Sequence, residues 1–360
     1  MIPQDLRTVL DTITSGELAG EHSPRQWGAL IRTARRANLL ASLAHSTANS
    51  TTSMPDAARR HLDGAHYLSQ RQAESVRWEA HCLNQILAPL GVSAVLLKGA
   101  AYVLAETPNH RGRLFGDIDI LVPQATLGAV EKAFMINGWT HSITDTYDQR
   151  YYREWMHELP PMINVRRGTV VDIHHNILPS TARYSPTGQA VIDASSPLPG
   201  LPAIRIPSPE DLLIHSITHL FHEGELHNGL RDLVDIDALL RHYCQTPDFW
   251  EKLLARARQQ TLERPLYYGL HFTRQLLGTP IPEATFDSLK AAAPPGWILA
   301  IMEILYQRGF PAAVGLGHGA GRWVLPLVYI RAHWLRMPPH LLARHLAKKA
   351  WRQLVKKEKP

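Results

Sequence analysis

Cysteine is almost absent. The chain of 360 residues has two, Cys82 and Cys244, with no metal-ligand spacing and no set of partners. This excludes a disulfide-stapled secreted domain and a cysteine-ligated zinc fold, and makes a reducing cytoplasm the expected compartment. Long apolar runs are missing as well. No stretch approaches the roughly 20 residues of a membrane-spanning helix. The runs Trp297 to Leu305 and Val324 to Ile330 are short and read as core helices. Met1 to Leu10 lacks the apolar region of a secretory signal. Charged residues are 19% and hydrophobic ones 45% of the chain, which excludes a disordered polyelectrolyte and fits an ordinary globular protein. The length allows two or three domains with a sizeable core.

The charge present leans positive, at +6 with a pI near 9.3. That balance suits a polyanionic ligand without demonstrating nucleic-acid binding. Much of the excess lies after Arg331. From His340 to Lys357 a stripe of Leu342, Leu346, Ala350 and Leu354 is flanked by Arg344, Lys348, Lys349 and Lys356. This reads as a terminal helix packed on its own domain, ahead of a lipid-binding or nucleic-acid-binding helix.

Residues 1 to about 90 read as helical. Ser23-Pro24 is an N-cap followed by proline at the first helical position. Asn49 to Pro55 is a polar break, and Ala57 to Leu90 carries a long helical pattern. This region has no evident chemistry and reads as a packing platform. Leu178 to Pro209, rich in Pro, Ser and Gly, reads as a domain boundary. The region after it is mainly helical, and 20 histidines are spread through the chain.

The informative stretch is Val95-Leu96-Leu97-Lys98-Gly99-Ala100-Ala101-Tyr102, taken with Arg113-Leu114-Phe115-Gly116-Asp117-Ile118-Asp119-Ile120-Leu121-Val122. The first piece reads as a buried strand, Ser93 to Leu97, that breaks at Lys-Gly and enters a helix. In the second, a strand from Asp117 to Val122, residues i and i+2 share a face. Asp117 and Asp119 therefore project together, with Ile118 and Ile120 pointing the other way. Two carboxylates held so close call for a hard divalent cation, Mg²⁺ where phosphates are handled, with Mn²⁺ as substitute. The loop from Glu106 to Gly116, rich in Arg, His, Asn and Gly, offers positive charge and backbone N–H groups to a phosphate chain. A hairpin follows, Ile163 to Val165 turning through Arg166-Arg167-Gly168 into Thr169 to His175. Its second strand has Val170, Asp172, His174 and Asn176 on one face.

Gly99-Ala100, Arg113 and Asp117-x-Asp119 resemble the signature of the nucleotidyltransferase superfamily, which includes the antibiotic nucleotidyltransferases and DNA polymerase β. The spelling Lys-Gly-Ala with Asp-Ile-Asp-Ile-Leu-Val is closer still to a bacterial group known only as uncharacterised nucleotidyltransferases. The strong match runs from Leu96 to Val122, and a weaker one continues through Val171-Asp172-Ile173-His174 and the segment around His219 and Asp235. The resemblance implies an α+β fold, with a small mixed β-sheet core between helical N- and C-terminal regions. We place the helical N-terminal region at 1–90, the nucleotidyltransferase core at 91–178 and the helical C-terminal region at 179–360. It implies transfer of a nucleoside monophosphate from an NTP, with ATP expected, to a hydroxyl or phosphate acceptor, a small molecule, sugar, peptide or protein.

The implied site has Asp117, Asp119 and Asp172 as catalytic metal ligands, Asp172 serving as third carboxylate. It has Lys98, Gly99, Ala100, Arg113 and Gly116 at the nucleotide, with Arg111 a lesser candidate, and His174, His219 and Asp235 towards the acceptor. Ala100 departs from the Gly-Ser pattern, so backbone N–H groups or Lys98 replace a serine hydroxyl. A nucleotide- or partner-binding module that keeps the fold without turnover is the alternative. Arg113 could also be a structural bridge to an aspartate, and Asp235 could pair with Arg231. His174 and His175 lack a third ligand at recognisable zinc spacing. His215, His219 and His222 recur at i, i+4 and i+7, and read as a polar helix face before a metal triad.

Overall fold

The computed structural model describes residues 2–48, 50, 54–143, 145, 149, 152–153, 155–317, 321–340 and 342. The basic C-terminal stripe expected from His340 to Lys357 therefore lies almost wholly outside the described residues.

The N-terminal region forms α1 (Gln4–Ser15), α2 (Pro24–Arg36), α3 (Leu40–Ser46) and α4 (Asp56–Leu87). α2 begins as its sequence dictates. The Ser23 hydroxyl accepts from the Gln26 N–H, and the Gln26 side chain accepts in return from the Ser23 N–H. α4 buries Leu62, Ala73, Val76, Ala80, Leu83 and Leu87 at three- and four-residue steps, the stripe of a helix lying on a core. It clamps the sheet at two points. Asn84 accepts from the Ala203 N–H, and buried Glu79 accepts three hydrogen bonds from Arg167 and one from Thr169.

A seven-stranded mixed sheet forms the centre: β1 (Ala94–Leu96), β2 (Ile118–Leu121), β3 (Trp139–His141), β4 (Met162–Asn164), β5 (Val170–His174), β6 (Ser196–Leu198) and β7 (Leu201–Ile206). The strand order is β3-β4-β5-β2-β1-β7-β6. β1 runs antiparallel to β2 and parallel to β7, and β2 runs parallel to β5. The expected hairpin is present as the antiparallel pair β4–β5. β1 and β2 are apolar and buried throughout apart from Asp119, as befits strands covered on both faces. α5 (Lys98–Leu104) follows β1, and α6 (Leu127–Ile136) follows β2.

The stretch Leu178 to Pro209 behaves differently from its reading as a boundary. It supplies the helix Gly188–Ala194 and the hairpin β6–β7, whose turn uses Pro199 and Gly200. β7 sits inside the sheet, between β1 and the edge strand β6. Its prolines mark turns and a short edge strand rather than an exit from the sheet.

Helices Pro209–His222, Gly229–Tyr243, Phe249–Gln259 and Glu263–Leu277 pack behind this sheet, followed by Gly296–Ala313 and Val324–Arg336. The last two are only half core. Trp297, Ile301 and Ile304 on one, and Leu327, Ile330 and Trp334 on the other, are exposed, because each helix is apolar on more than the face that it buries. Among the described residues no helix is long and apolar enough to cross a membrane.

Candidate active site

The β1–α5 junction makes the site's sharpest turn. Lys98 takes a φ of +42°. That is a costly conformation for a residue with a Cβ, and a place where strain is held by its surroundings. Gly99 is required for a different reason. A Cβ there would lie 2.6 Å from Arg113 Nη1 and 2.7 Å from Phe115 Cδ1. Ala100 is buried in the same first turn of α5, which carries no side-chain cap.

The loop before β2 is held by the N-terminal helices. Gly112 has φ +76° and sits so close to Ala41 and Ser42 that a Cβ would come within 2.5 Å of the Ala41 carbonyl oxygen. The Ser42 hydroxyl donates to the Gly112 carbonyl, and the Phe115 N–H donates to Gln72 on α4. The platform without chemistry thus shapes the loop that leads to the paired acids.

Asp117 and Gly116 are exposed just before β2, and Asp119 is buried within it. The parallel register sets Asp119 directly beside Asp172 on β5. Neighbouring positions in a parallel pair share a face, so Asp172 joins the acidic face across 53 residues of sequence. Asp119 Oδ1 accepts from Lys98 Nζ at 3.2 Å and from His174 Nε2 at 3.0 Å. Burial acts to raise the Asp119 pKa, but Lys98 and His174 hold it well below the ordinary value. Asp117 is pushed up, chiefly by the charge of Asp119. Burial first, then Asp119, pushes Asp172 up to about 7, and its Oδ1 is buried without a hydrogen-bond partner. Two carboxylates in register across neighbouring strands, a third two residues away and an orphaned oxygen on Asp172 offer the all-oxygen donors that a hard divalent cation takes.

A cavity of about 280 Å³ opens over this face. Lys98, Gly99, Arg113, Gly116, Asp117 and Asp119 line one side. Tyr102, Ser216, His219, Glu223, Arg231 and Asp232 line the other, from α5 and the two helices behind it. Asp172 and His174 are absent from the lining and meet the cavity through Asp119, which Asp172 faces in register and His174 bonds. Arg111 is absent from its lining and faces another hollow beside His45 and His110.

Arg113 is both lining and bridge. Its Nε donates to Asp235 Oδ2 at 2.6 Å, and Nη2 lies 3.7 Å from Asp232. Asp235 therefore pairs with Arg113, while Arg231 takes Asp232. Asp235 also accepts from Asn109, and it is absent from the cavity lining. This is the structural bridge weighed for Arg113, with a partner from a distant helix.

The i, i+4, i+7 histidines do not converge. His222 Nδ1 bonds the Thr218 carbonyl, and its ring meets Tyr184 edge-on. His219 reaches the cavity, with Nε2 3.7 Å from Glu223. Burial drives the pKa of His215 and His222 down to about 3, and that of His219 well below normal, so all three are neutral. Sequence reasoning missed Glu158. Its backbone bridges antiparallel to His174, placing a carboxylate oxygen 3.2 Å from His174 Nδ1. It missed Tyr102 and Ser216 too, whose hydroxyls bond at 2.6 Å across the cavity wall. None of these has a periodic or spaced signature, although His157-Glu158 beside Pro160-Pro161 was readable as an unusual cluster.

A family model described as an uncharacterised nucleotidyltransferase matches residues 23–278. Among solved structures, the chain is similar to an antigenic nucleotidyltransferase-like protein from Paracoccidioides brasiliensis. The identity is 16% and the TM-score 0.31, over 59% of this chain and 97% of that one. A search of curated proteins gives no match.

Proposed function

The chain belongs to the uncharacterised nucleotidyltransferase family, and from that premise we propose that it transfers a nucleoside monophosphate from an NTP, ATP first, to a hydroxyl or phosphate acceptor and releases pyrophosphate. The observation that carries this reading is the register of Asp119 beside Asp172, with Asp117 two residues before Asp119 and a cavity lined by Asp117 and Asp119. Mg²⁺, or Mn²⁺ in its place, held by Asp117, Asp119 and Asp172, would supply charge neutralisation for the phosphates.

The remaining work falls to side chains and backbone. Gly99 and the uncapped first turn of α5 present N–H groups to phosphate oxygens, in place of the missing serine hydroxyl. Lys98 and Arg113 supply positive charge, with Arg113 anchored from below by Asp235. Gly116 lines the cavity beside Asp117. The acceptor oxygen attacks the α-phosphorus as the bond to the bridging oxygen of the β-phosphate breaks. Asp172 is the carboxylate assigned to assist deprotonation of the acceptor hydroxyl near the metal. His219 faces the acceptor's side of the cavity, His174 holds Asp119, and Asp235 acts through Arg113. Such catalysis rests on positioning and electrostatics.

A silent binding module is favoured by one observation: Asp119 Oδ1 is already neutralised by Lys98 and His174. A single screen separates the two. The protein is incubated with Mg²⁺ and each α-labelled NTP against cell extract, beside Asp117→Asn and Asp119→Asn. Label on an acceptor with the wild type alone establishes transfer. Metal-dependent NTP binding without label, across extracts and fractions, favours the module. Neither label nor binding removes both.

A further inference from the structure

The segment 157–159 lies along the end of β5. The His175 N–H donates to the His157 carbonyl at 2.8 Å, the Leu159 N–H to the Ile173 carbonyl at 2.8 Å, and Glu158 bridges His174. This pairing brings the His157 ring beside that of His174, with centroids 5.3 Å apart and planes tilted by 38°, and sets Glu158 opposite His174. We propose that His157, Glu158 and His174 form a transition-metal site of the zinc class, separate from the three-carboxylate site.

Four observations support it. The available ligand atoms of the three side chains all lie within 4.8 Å of one another. Ligands of a tetrahedral zinc sit about 3.4 Å apart, and Glu158 Oε2 and His174 Nδ1 are already 3.2 Å apart. Second, the cluster has unmet bonding capacity. The Nδ1 atoms of His157 and His174 are buried without hydrogen bonds, although His174 is only 4% exposed. A buried ring nitrogen left so is costly, and a cation satisfies both.

Third, His174 Nε2 is committed. It bonds Asp119 Oδ1, which leaves Nδ1 as the ring atom facing Glu158 Oε2 at 3.2 Å and open to a metal that displaces its proton. Metal-ligating histidines characteristically donate their other N–H to a carboxylate, which fixes tautomer and ring. Fourth, the donor set is selective. Two imidazoles and one carboxylate suit Zn²⁺, Co²⁺ or Fe²⁺ rather than Mg²⁺, and three protein ligands leave a position for water. The three-carboxylate site, all oxygen, selects the reverse. Burial keeps His157 well below its ordinary pKa and therefore neutral, the form that binds metal. The earlier objection to zinc, that His174 lacks a third ligand at local spacing, fails because the missing ligands come from a segment 16 residues upstream.

The consequence is a positioning role. An ion on His174 Nδ1 holds the imidazole that holds Asp119, so the second site stiffens the first without touching a nucleotide. The test needs no activity. The full chain is stripped with chelator, then titrated with Co²⁺ alone, following visible d–d absorption and displacement by Zn²⁺. One saturating equivalent with the intensity of a four- or five-coordinate ion is expected. His157→Gln and the isosteric Glu158→Gln are each expected to weaken it by at least about 10–100-fold, with far-UV circular dichroism confirming the fold. Asp117→Asn is expected to leave the spectrum unchanged. Absence of saturable Co²⁺ absorption in the wild type overturns the site. So does an unchanged spectrum in both folded ligand variants. Loss of the signal in Asp117→Asn assigns the ion to the carboxylates and overturns it as well. None of these outcomes depends on whether nucleotidyl transfer occurs.

Discussion

Replacing Arg113 with methionine separates the two jobs that this side chain holds. Arg113 and Asp235 are 7% and 4% exposed, and their contact is 2.6 Å. Burial pushes Asp235 up, and Arg113 pulls it back; the short contact and the second bond from Asn109 keep it ionised at neutral pH. Arg113→Met preserves most of the packing over the Tyr102 and Phe115 rings, which lie 5.3 and 5.4 Å from the guanidinium carbon. It leaves Asp235 with a single 3.3 Å bond from Asn109 in a buried setting. Removing one partner of a buried pair costs about 3–5 kcal/mol, whereas replacing both by apolar groups is nearly neutral. Arg113→Met/Asp235→Leu should therefore recover most of the loss, giving a coupling energy of about 3 kcal/mol, far above the additivity error. In urea, at a slope of about 3 kcal/mol/M, the single variant should unfold about 1–1.7 M earlier than the wild type. A single variant within about 1 kcal/mol of wild type, or a double variant no better than the single, would refute the bridge. If Mg²⁺–NTP affinity alone collapsed while stability held, Arg113 would be a phosphate ligand first.

Gly99→Ala forces a Cβ into Arg113 and Phe115, and should cost about 1–3 kcal/mol by chemical denaturation with a matching loss of NTP affinity. A variant with wild-type melting would mean the loop has slack that the packing does not show. Asp172→Asn should lower the transfer rate by about 10²–10⁴-fold while leaving thermal stability no worse, since it removes a carboxylate that burial already disfavours. His215 and His222 have pKa values near 3 in the folded chain against 6.5 unfolded, so between those pH values the unfolded state binds more protons. Their stabilisation is complete above pH 6.5 and is lost as pH falls towards 3, at up to roughly 1.4 kcal/mol per pH unit for each. His222→Leu should flatten the pH dependence of urea midpoints over pH 4 to 6; an unchanged slope would show that the ring protonates in place.

Much of this molecule is written locally. The Ser23 cap, the apolar stripe of α4, the break at Lys98-Gly99 and the alternation of Asp117 and Asp119 with Ile118 and Ile120 each depend on residues within a turn or two. Periodicity and capping therefore expose them in the bare sequence. The strand–turn–helix and the acidic strand carry the resemblance to the nucleotidyltransferases, and that resemblance is legible because its residues lie close together in the chain.

What the sequence withheld was decided by pairing across long separations. Nothing near Asp172 says that it lies in register with Asp119, nothing near Arg113 points 122 residues on to Asp235, and nothing near His174 announces Glu158. The Pro- and Gly-rich stretch 178–209 reads as a boundary because turn residues look alike whether a chain leaves a sheet or folds back into it. Its insertion beside β1 depends on which edge of β1 is vacant, a property of the assembled sheet. Even the turn at Lys98-Gly99 divides its labour only in three dimensions, with the left-handed backbone on the lysine and the need for empty space on the glycine. Local patterns fix which atoms a segment can offer, and the packing of distant segments decides which of those atoms meet.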